Sequence, residues 1–329
     1  MAKKAVTKEE MPLLAALKFI ALAQHETGAP NQVNCRLLDN SITAYDGVLA
    51  CGAYLPETVP AICPNTMQLI KAMEKASDVS ALSFETNSII VKTNKFRAIV
   101  PCVPGTDLMF IYPDQPLYEL TNNFRSAAMT AAIWTKENAQ TVVAASIMLR
   151  PGSCVGTNGR ALIEVWHGVD MPSGLIVPKT FIDALGKVKK NITRFGFSDT
   201  SLTIWFDDNS WLKTQLYSEQ WPNIDLFLAY TETAKPELVT KEFWEAIKTI
   251  SVFSEDGRIF MNEGFVCSHK STAKGAEYKL KGLPSDQSYD FKLLLAISEL
   301  ATSFDWEGND RVTCFFGDKL RGVLAKSSY

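Results

Sequence analysis

The chain has 329 residues, 47% of them hydrophobic and 21% charged, with a formal net charge of −3. This balance excludes a disordered or fibrous polymer, and no apolar run approaches the roughly 18–20 residues of a membrane span. The seven cysteines, at 35, 51, 63, 102, 154, 267 and 314, are odd in number, widely spaced and without a CxxC pair, which predicts buried free thiols in a reducing cytoplasm.

Residues 1–10 are basic and acidic by turns, with no following signal-like stretch. Apolar residues at 13, 14, 17, 20 and 21 predict a helix over 9–24. Alternating text over 33–54 breaks at Asp46-Gly47, a hairpin signal. Pro64 fits the first turn of a helix running to about Ala76, followed by strands at 79–84, 88–92 and 96–103. Phe124, Ala128, Ala131 and Ala132 predict a helix over 122–136, and Pro178 starts another that ends near Lys190. Strands are expected at 192–197, 202–206 and 211–217. Thr240 is a plausible N-cap for a helix through Ile250. A last helix over 290–303 and strands at 311–316 and 320–326 complete the pattern.

The elements recur. Cys63-Pro64-Asn65-Thr66-Met67-Gln68-Leu69 is answered by Val177-Pro178-Lys179-Thr180-Phe181-Ile182-Asp183, Asp46-Gly47 by Asn158-Gly159, and Ser83-Phe84-Glu85 by Gly196-Phe197-Ser198, at offsets of 112 to 114. A weaker third copy places Asn262-Glu263-Gly264 at the turn and Asp290-Phe291-Lys292-Leu293 at the helix. Solenoid repeats are only about 20–50 residues long, so this period means duplicated domains. The polar junctions at 112–116 and 230–236 set domains at 1–118, 119–233 and 234–329.

Three units of two helices and about eight strands make an α+β chain. Trp205-Phe206-Asp207-Asp208-Asn209, Leu212-Lys213-Thr214-Gln215-Leu216 and Trp221-Pro222-Asn223 resemble the bacterial DNA polymerase III beta sliding clamp. Thr157-Asn158-Gly159-Arg160-Ala161-Leu162 resembles that family's T-D-G-H-R-L turn, Ile176-Val177-Pro178-Lys179 is similar to its I-[IV]-P-[RK] segment, and Lys95-Phe96-Arg97 resembles its R-F segment. Ala161 replaces a basic residue of the turn, and residues 324–329 differ from the family's M-P-M-[RK] tail. The resemblance implies three sliding-clamp domains forming half of a ring. Two chains close it as a homodimer around double-stranded DNA and tether the replicative polymerase, with a clamp loader as a further partner. The chain is shorter than typical cellular members, which suits a phage- or plasmid-encoded one.

The resemblance also implies sites. The six proposed helices carry thirteen Lys or Arg and nine Asp or Glu, a positive surplus in an acidic chain. Lys71, Lys75, Arg125, Lys136, Lys187, Lys190, Lys241 and Lys248 are the expected DNA contacts, made to phosphates without base readout. Lys8, Lys18, Lys179, Lys189 and Lys292 belong to the same set of helix cations. A partner-peptide pocket maps onto Thr157, Gly159, Arg160, Leu162, Leu293, Val323 and Leu324, and the dimer seam onto Phe96, Val252 and Phe253. Helix lysines are also ordinary solvated faces, and Asn-Gly is an ordinary hairpin turn.

No catalytic constellation emerges. His25, His167 and His269 have no ligand spacing, and there is no GxSxG or Walker-type sequence. Asp207-Asp208 reads as a turn between strands rather than a metal pair, and Lys189-Lys190 as charge at a helix end. The expected protein is not an enzyme and needs no metal or cofactor. Rival readings are a viral structural protein of duplicated β-rich domains and an enzyme with an unfamiliar site.

Overall fold

A computed structural model describes residues 12–76, 81–109, 111–262, 264–271 and 274–327. The expected helix cation Lys8, with Glu9 and Glu10, lies outside them. The first stretch runs α1 (Pro12–Ile20), α2 (Pro30–Val33), β1 (Arg36–Tyr45), β2 (Leu49–Pro64), α3 (Thr66–Lys75), β3 (Ala81–Glu85), β4 (Ser88–Lys92), β5 (Arg97–Val103) and β6 (Tyr118–Glu119). Then come α4 (Asn122–Ala131), β7 (Ser146–Arg150), β8 (Ser153–Thr157), β9 (Ala161–Trp166), β10 (Leu175–Pro178), α5 (Lys179–Lys187), β11 (Ile192–Phe197), β12 (Ser201–Phe206) and β13 (Trp211–Gln215). The remainder is α6 (Asp225–Leu228), β14 (Glu237–Leu238), α7 (Lys241–Ser251), β15 (Arg258–Asn262), β16 (Phe265–Cys267), β17 (Glu277–Lys279), β18 (Gln287–Asp290), α8 (Phe291–Ala296), β19 (Ala301–Asp305), β20 (Val312–Gly317) and β21 (Leu320–Ala325).

The fold is α+β, with three antiparallel sheets among the described residues. Their orders are β3-β4-β5-β2-β13-β12-β11-β6 with β1 also on β2, β10-β7-β8-β9-β21-β20-β19-β14, and β17-β16-β15-β18. Two compact units result: 1–122 with 180–216, and 123–179 with 217–329. The middle repeat is thus divided between them. In the first unit, β13 pairs with β2 through Trp211↔Gly52, Leu212↔Cys51, Lys213↔Ala50 and Thr214↔Leu49. A Cβ on Gly52 would lie 2.4 Å or less from the Trp211 ring, so that pairing needs glycine there. In the second unit, β9 pairs with β21 from Leu320↔Val165 to Leu324↔Ala161.

Several boundaries differ from the sequence expectation. Pro64 and Pro178 end β2 and β10 instead of opening helices, and Asn65 caps α3 by accepting the Gln68 N–H at 2.9 Å. A proline can end a strand because it has no N–H left to pair. The last helix ends at Ala296, and Ala301–Asp305 is a strand, in keeping with the β-branched and aromatic residues Thr302 and Phe304. Lys136, Lys189 and Lys190 fall beyond the ends of α4 and α5. The first repeat has five strands rather than about eight over 36–103, because β2 runs unbroken for 16 residues. The helices bury the stripes their periodicity predicts, such as Phe124, Ala127, Ala128 and Ala131 on α4 and Phe243, Ala246, Ile247 and Ile250 on α7. All seven cysteines are free, and six are buried. Burial pushes the Cys35 thiol up to about 12.

The junction segment at 112–116 is fastened to the first unit's sheet by one carboxylate. Asp114 accepts hydrogen bonds from Ser201 Oγ at 2.9 Å, Thr203 Oγ1 at 2.8 Å and Lys213 Nζ at 3.0 Å. Trp205 Nε1 donates to the Asp114 carbonyl at 3.2 Å. Gly196 admits the Gln115 carbonyl to within 2.0 Å of where a Cβ would sit. Asp114→Ala leaves the half-buried Lys213 ammonium with only the Tyr112 carbonyl and frees the Ser201 and Thr203 hydroxyls, and the expected cost is about 2 kcal/mol. A lowered urea midpoint for the transition of the first unit is the expected result, with Lys213→Met partly restoring it.

Candidate functional site

The turn between β8 and β9 is built by its own side chains. Asn158 Oδ1 accepts the Arg160 and Ala161 N–H groups at 3.0 and 2.9 Å, Thr157 Oγ1 donates to the Ala161 carbonyl at 2.6 Å, and Gly159 takes a φ of +84°. The turn after β1 repeats this construction. Asp46 Oδ1 accepts the Val48 and Leu49 N–H groups at 2.8 and 2.7 Å, and Gly47 has a φ of +111°. Both are Asx turns completed by a glycine in a conformation that other residues resist.

Beyond the turn, Leu162 opposes Val323 across β9 and β21. They share one apolar cluster with Val155, Ile224, Leu228 and Cys314, and Met148, Trp221, Ala234, Val312 and Phe316 pack partly exposed against it. On the same sheet face, Glu164 accepts Arg321 Nε at 2.9 Å, Arg150 Nη1 at 3.4 Å and Ser153 Oγ at 2.7 Å. Arg150 also reaches Asp225 at 2.9 Å, which ties α6 down over the cluster.

The structure therefore brings together Thr157, Gly159, Leu162 and Val323 of the expected pocket, while Leu324 lies on the opposite face of β21 by strand alternation and Leu293 is buried on α8. Neither belongs to the cluster. Leu162 and Val323 are only 5% and 4% exposed, so they form a floor, and the accessible wall is Met148, Trp221 and Phe316. Residue spacing could not have revealed Phe316 or Met148, because they reach the cluster through strand pairing. Ile224, which caps α6, and Leu228, four residues on at its end, did carry a helical signal.

The cations divide into three groups. Lys71, Lys75, Lys187, Lys241 and Lys248 are exposed on helices, and Arg125 is half-buried on α4, its guanidinium pushed down by burial. Lys136 is exposed in a loop. Lys190 is half-buried, bonded to Asp208 at 2.7 Å and Ser210 at 2.9 Å and set over the Phe19 ring at 4.1 Å. Burial alone would raise the Asp208 carboxyl, but its bonds to Lys190 and Ser210 outweigh that and lower it. Asp207 and Asp208 thus lie in a turn with Asn209, whose φ is +63°, between β12 and β13, as their sequence suggested. Counted over the six longer helices, nine Lys or Arg stand against four Asp or Glu. Val252 and Phe253, where α7 ends, are 80% and 57% exposed, and Phe96 is half-buried in the turn before β5. No cluster of His, Cys, Asp and Glu among the described residues could hold a metal ion. Among those residues no helix is long and apolar enough to cross a membrane.

The fold is that of a DNA clamp. More particularly, it is the fold of bacterial DNA polymerase III beta sliding clamps. The Pseudomonas aeruginosa beta subunit superposes with a TM-score of 0.80 at 14% identity, covering 98% of this chain and 99% of that one. A Helicobacter pylori beta clamp in complex with 3,4-difluorobenzamide gives 0.77 at 15% identity, with the same coverage. The same H. pylori clamp bound to a DNA ligase peptide gives 0.74 at 14% identity over 98% and 99% of the two chains. No protein-family model and no curated protein matches the sequence.

Burial of Leu162 sets what a mutation there does. Leu162→Asp places a carboxylate in the apolar cluster, which costs several kcal/mol, and the expected outcome is loss of the second unit's cooperative thermal transition. Phe316→Ala, at the accessible wall, is expected to keep that transition.

Proposed function

We propose that this chain is a DNA sliding clamp, a polymerase processivity factor that encircles duplex DNA and does no chemistry. The observation that carries the reading is a clamp fold over 98% of the chain, supported by the positive surplus on the six longer helices of a chain whose net charge is −3. A net positive surplus on the helices of a net acidic chain favours phosphate contact inside a ring without attracting nucleic acid to the outside. Topological linkage then keeps the polymerase near the primer at high effective concentration. A clamp loader, a cytoplasmic location and three domains per chain complete the proposal.

The sheet edges support a homodimer. Repeats within the chain join by antiparallel pairing, as in β2 with β13 and β9 with β21. β5 pairs with β2 only at Cys102 and Val103, and β17 ends the four-stranded sheet. The edge of β5 before Cys102 and that of β17 suit each other in a second copy, and Phe96, Val252 and Phe253 supply apolar contact beside them. Such pairing removes edges that invite aggregation. Burial of a large apolar side chain is worth about 1.5–3 kcal/mol, so Phe253→Asp is expected to give monomers at micromolar concentration. Sedimentation of the wild type as a monomer or trimer would overturn the two-chain ring.

Lys71, Lys75, Arg125, Lys187, Lys241 and Lys248 are the proposed phosphate contacts, with Lys136 outside the helices and Lys190 weakened as a candidate by its bond to Asp208. Lys187→Glu with Lys248→Glu should shorten retention on nicked circular DNA equally for all sequences. The salt slope of log K should fall by roughly one unit for each phosphate interaction removed, while Lys190→Gln changes stability more than the slope. Unchanged retention in the double variant would show that those lysines are only solvated.

The apolar cluster with its wall of Met148, Trp221 and Phe316 is the proposed site for a polymerase or ligase tail peptide, in the manner named for the H. pylori clamp.

A further inference from the structure

The β14 end of the eight-stranded sheet in the second unit borders a cavity of about 550 Å³, a size within the roughly 300–1,000 Å³ of ligand pockets. Three chain segments supply its walls: Lys235 and Glu237 at β14, Leu283 and Pro284 before β18, and Asp305 and Glu307 where β19 turns toward β20. None of its lining residues belongs to the apolar cluster of the docking site. Ala234 packs against that cluster, whereas Lys235, the next residue, lines this cavity.

Asp305 fixes two of the walls to each other. Its carboxylate accepts the Lys235 N–H at 2.9 Å, the Gly308 N–H at 2.9 Å and the Glu307 N–H at 3.2 Å. The carboxylates of Glu237 and Glu307 have no such task. Both residues are exposed, and neither side chain forms an ion pair or hydrogen bond among the described residues. The field of Glu307 reaches Lys326, but the Lys326 Nζ donates to the Trp306 carbonyl. The lining thus sets three carboxylates against the Lys235 ammonium, and Leu283 and Pro284 make part of it apolar. The carboxylates do not cluster as metal ligands among the described residues. Beside the cavity, β14 is the last strand of its sheet and pairs with β19. The Val239 N–H donates to the Thr302 carbonyl at 3.0 Å, so by the alternation of an antiparallel ladder Leu238 turns its own N–H and C=O to the open edge. The Leu238 side chain is 84% exposed. An open edge of this kind accepts an extended chain.

We infer that this cavity and the β14 edge form a docking surface, separate from the apolar site, for an extended lysine- or arginine-bearing segment of a partner protein. The segment pairs at Leu238, and the stem of its cationic side chain lies on Leu283 and Pro284. Charge complementarity with Glu237 and Glu307 commits the occupant to a cation, since carboxylates only accept and an ammonium or guanidinium only donates.

The test uses the full chain and fluorescence-labelled synthetic peptides in which valine alternates with lysine, glutamine or glutamate. The lysine peptide is expected to bind about fivefold more tightly than the glutamine peptide at low salt, in the range of two exposed ion pairs, and the glutamate peptide most weakly. The gap should shrink at high salt. Glu237→Gln with Glu307→Gln should abolish the preference while the thermal midpoint stays at the wild-type value. Glu299→Gln with Asp318→Asn, which removes the same charge from exposed positions outside the cavity, should keep the preference. Methylation of the lysine peptide's backbone nitrogens should weaken its binding. Equal binding of the lysine and glutamine peptides by the wild type overturns the proposal, and so does failure of every peptide to bind. A preference that survives in the Glu237 and Glu307 double variant, or that the Glu299 and Asp318 double variant loses to the same extent, overturns the assignment to this cavity. Unchanged binding after methylation overturns pairing at the β14 edge.

Discussion

The antiparallel pairing between strands of successive repeats is the contact on which the rest of this architecture depends. β13 on β2, and β21 on β9, turn separate duplicated domains into continuous sheets. Each pairing satisfies backbone groups that an isolated repeat would leave at an edge, and each buries a face against helices. The two compact units consequently cut through the middle repeat, because sheet continuity across a junction binds its strands more closely to a neighbouring repeat than to its own other half. Small devices protect these joints. Gly52 makes room for the Trp211 ring, and Asp114 holds the first linker to the sheet it crosses.

The same joints position the candidate docking site. Leu162 and Val323 come from chain segments far apart in sequence and meet only because β9 and β21 pair. The ion group of Arg150, Glu164 and Arg321 sits beside them and, through Asp225, fixes α6, whose Leu228 and capping residue Ile224 close the cluster. A buried carboxylate with several donors is favourable only when its partners are already in place, so this network specifies one placement of α6 rather than adding much net stability.

Much of the fold was legible because it is repeated. Asp46-Gly47 and Asn158-Gly159 announced two turns that prove to share one hydrogen-bonding plan, helical periodicity found α1 and α4, Pro64 and Pro178 marked the approach to α3 and α5, and Thr240 marked the start of α7. What failed to show were features decided by partners distant in sequence. Thr302 and Phe304 are too weak a local signal to tell that Ala301–Asp305 is a strand beside β14 and β20 rather than the end of a helix, and nothing local tells that Lys190 is held by Asp208. The wall residues Met148 and Phe316 were hidden for the same reason. With identities near 14% to clamps of the same fold, it is the order of elements and turns that carried the resemblance, more than side-chain identity.

The Asp114 fastening has a mechanical meaning. Where two repeats are joined by a sheet and also by a covalent linker that is itself pinned to that sheet, two load paths run in parallel, and neither has slack. A joint between two separate copies has strand pairing alone. In the two-chain ring proposed above, an opening force would therefore meet less covalent reinforcement at a joint between copies than at the joints within one chain.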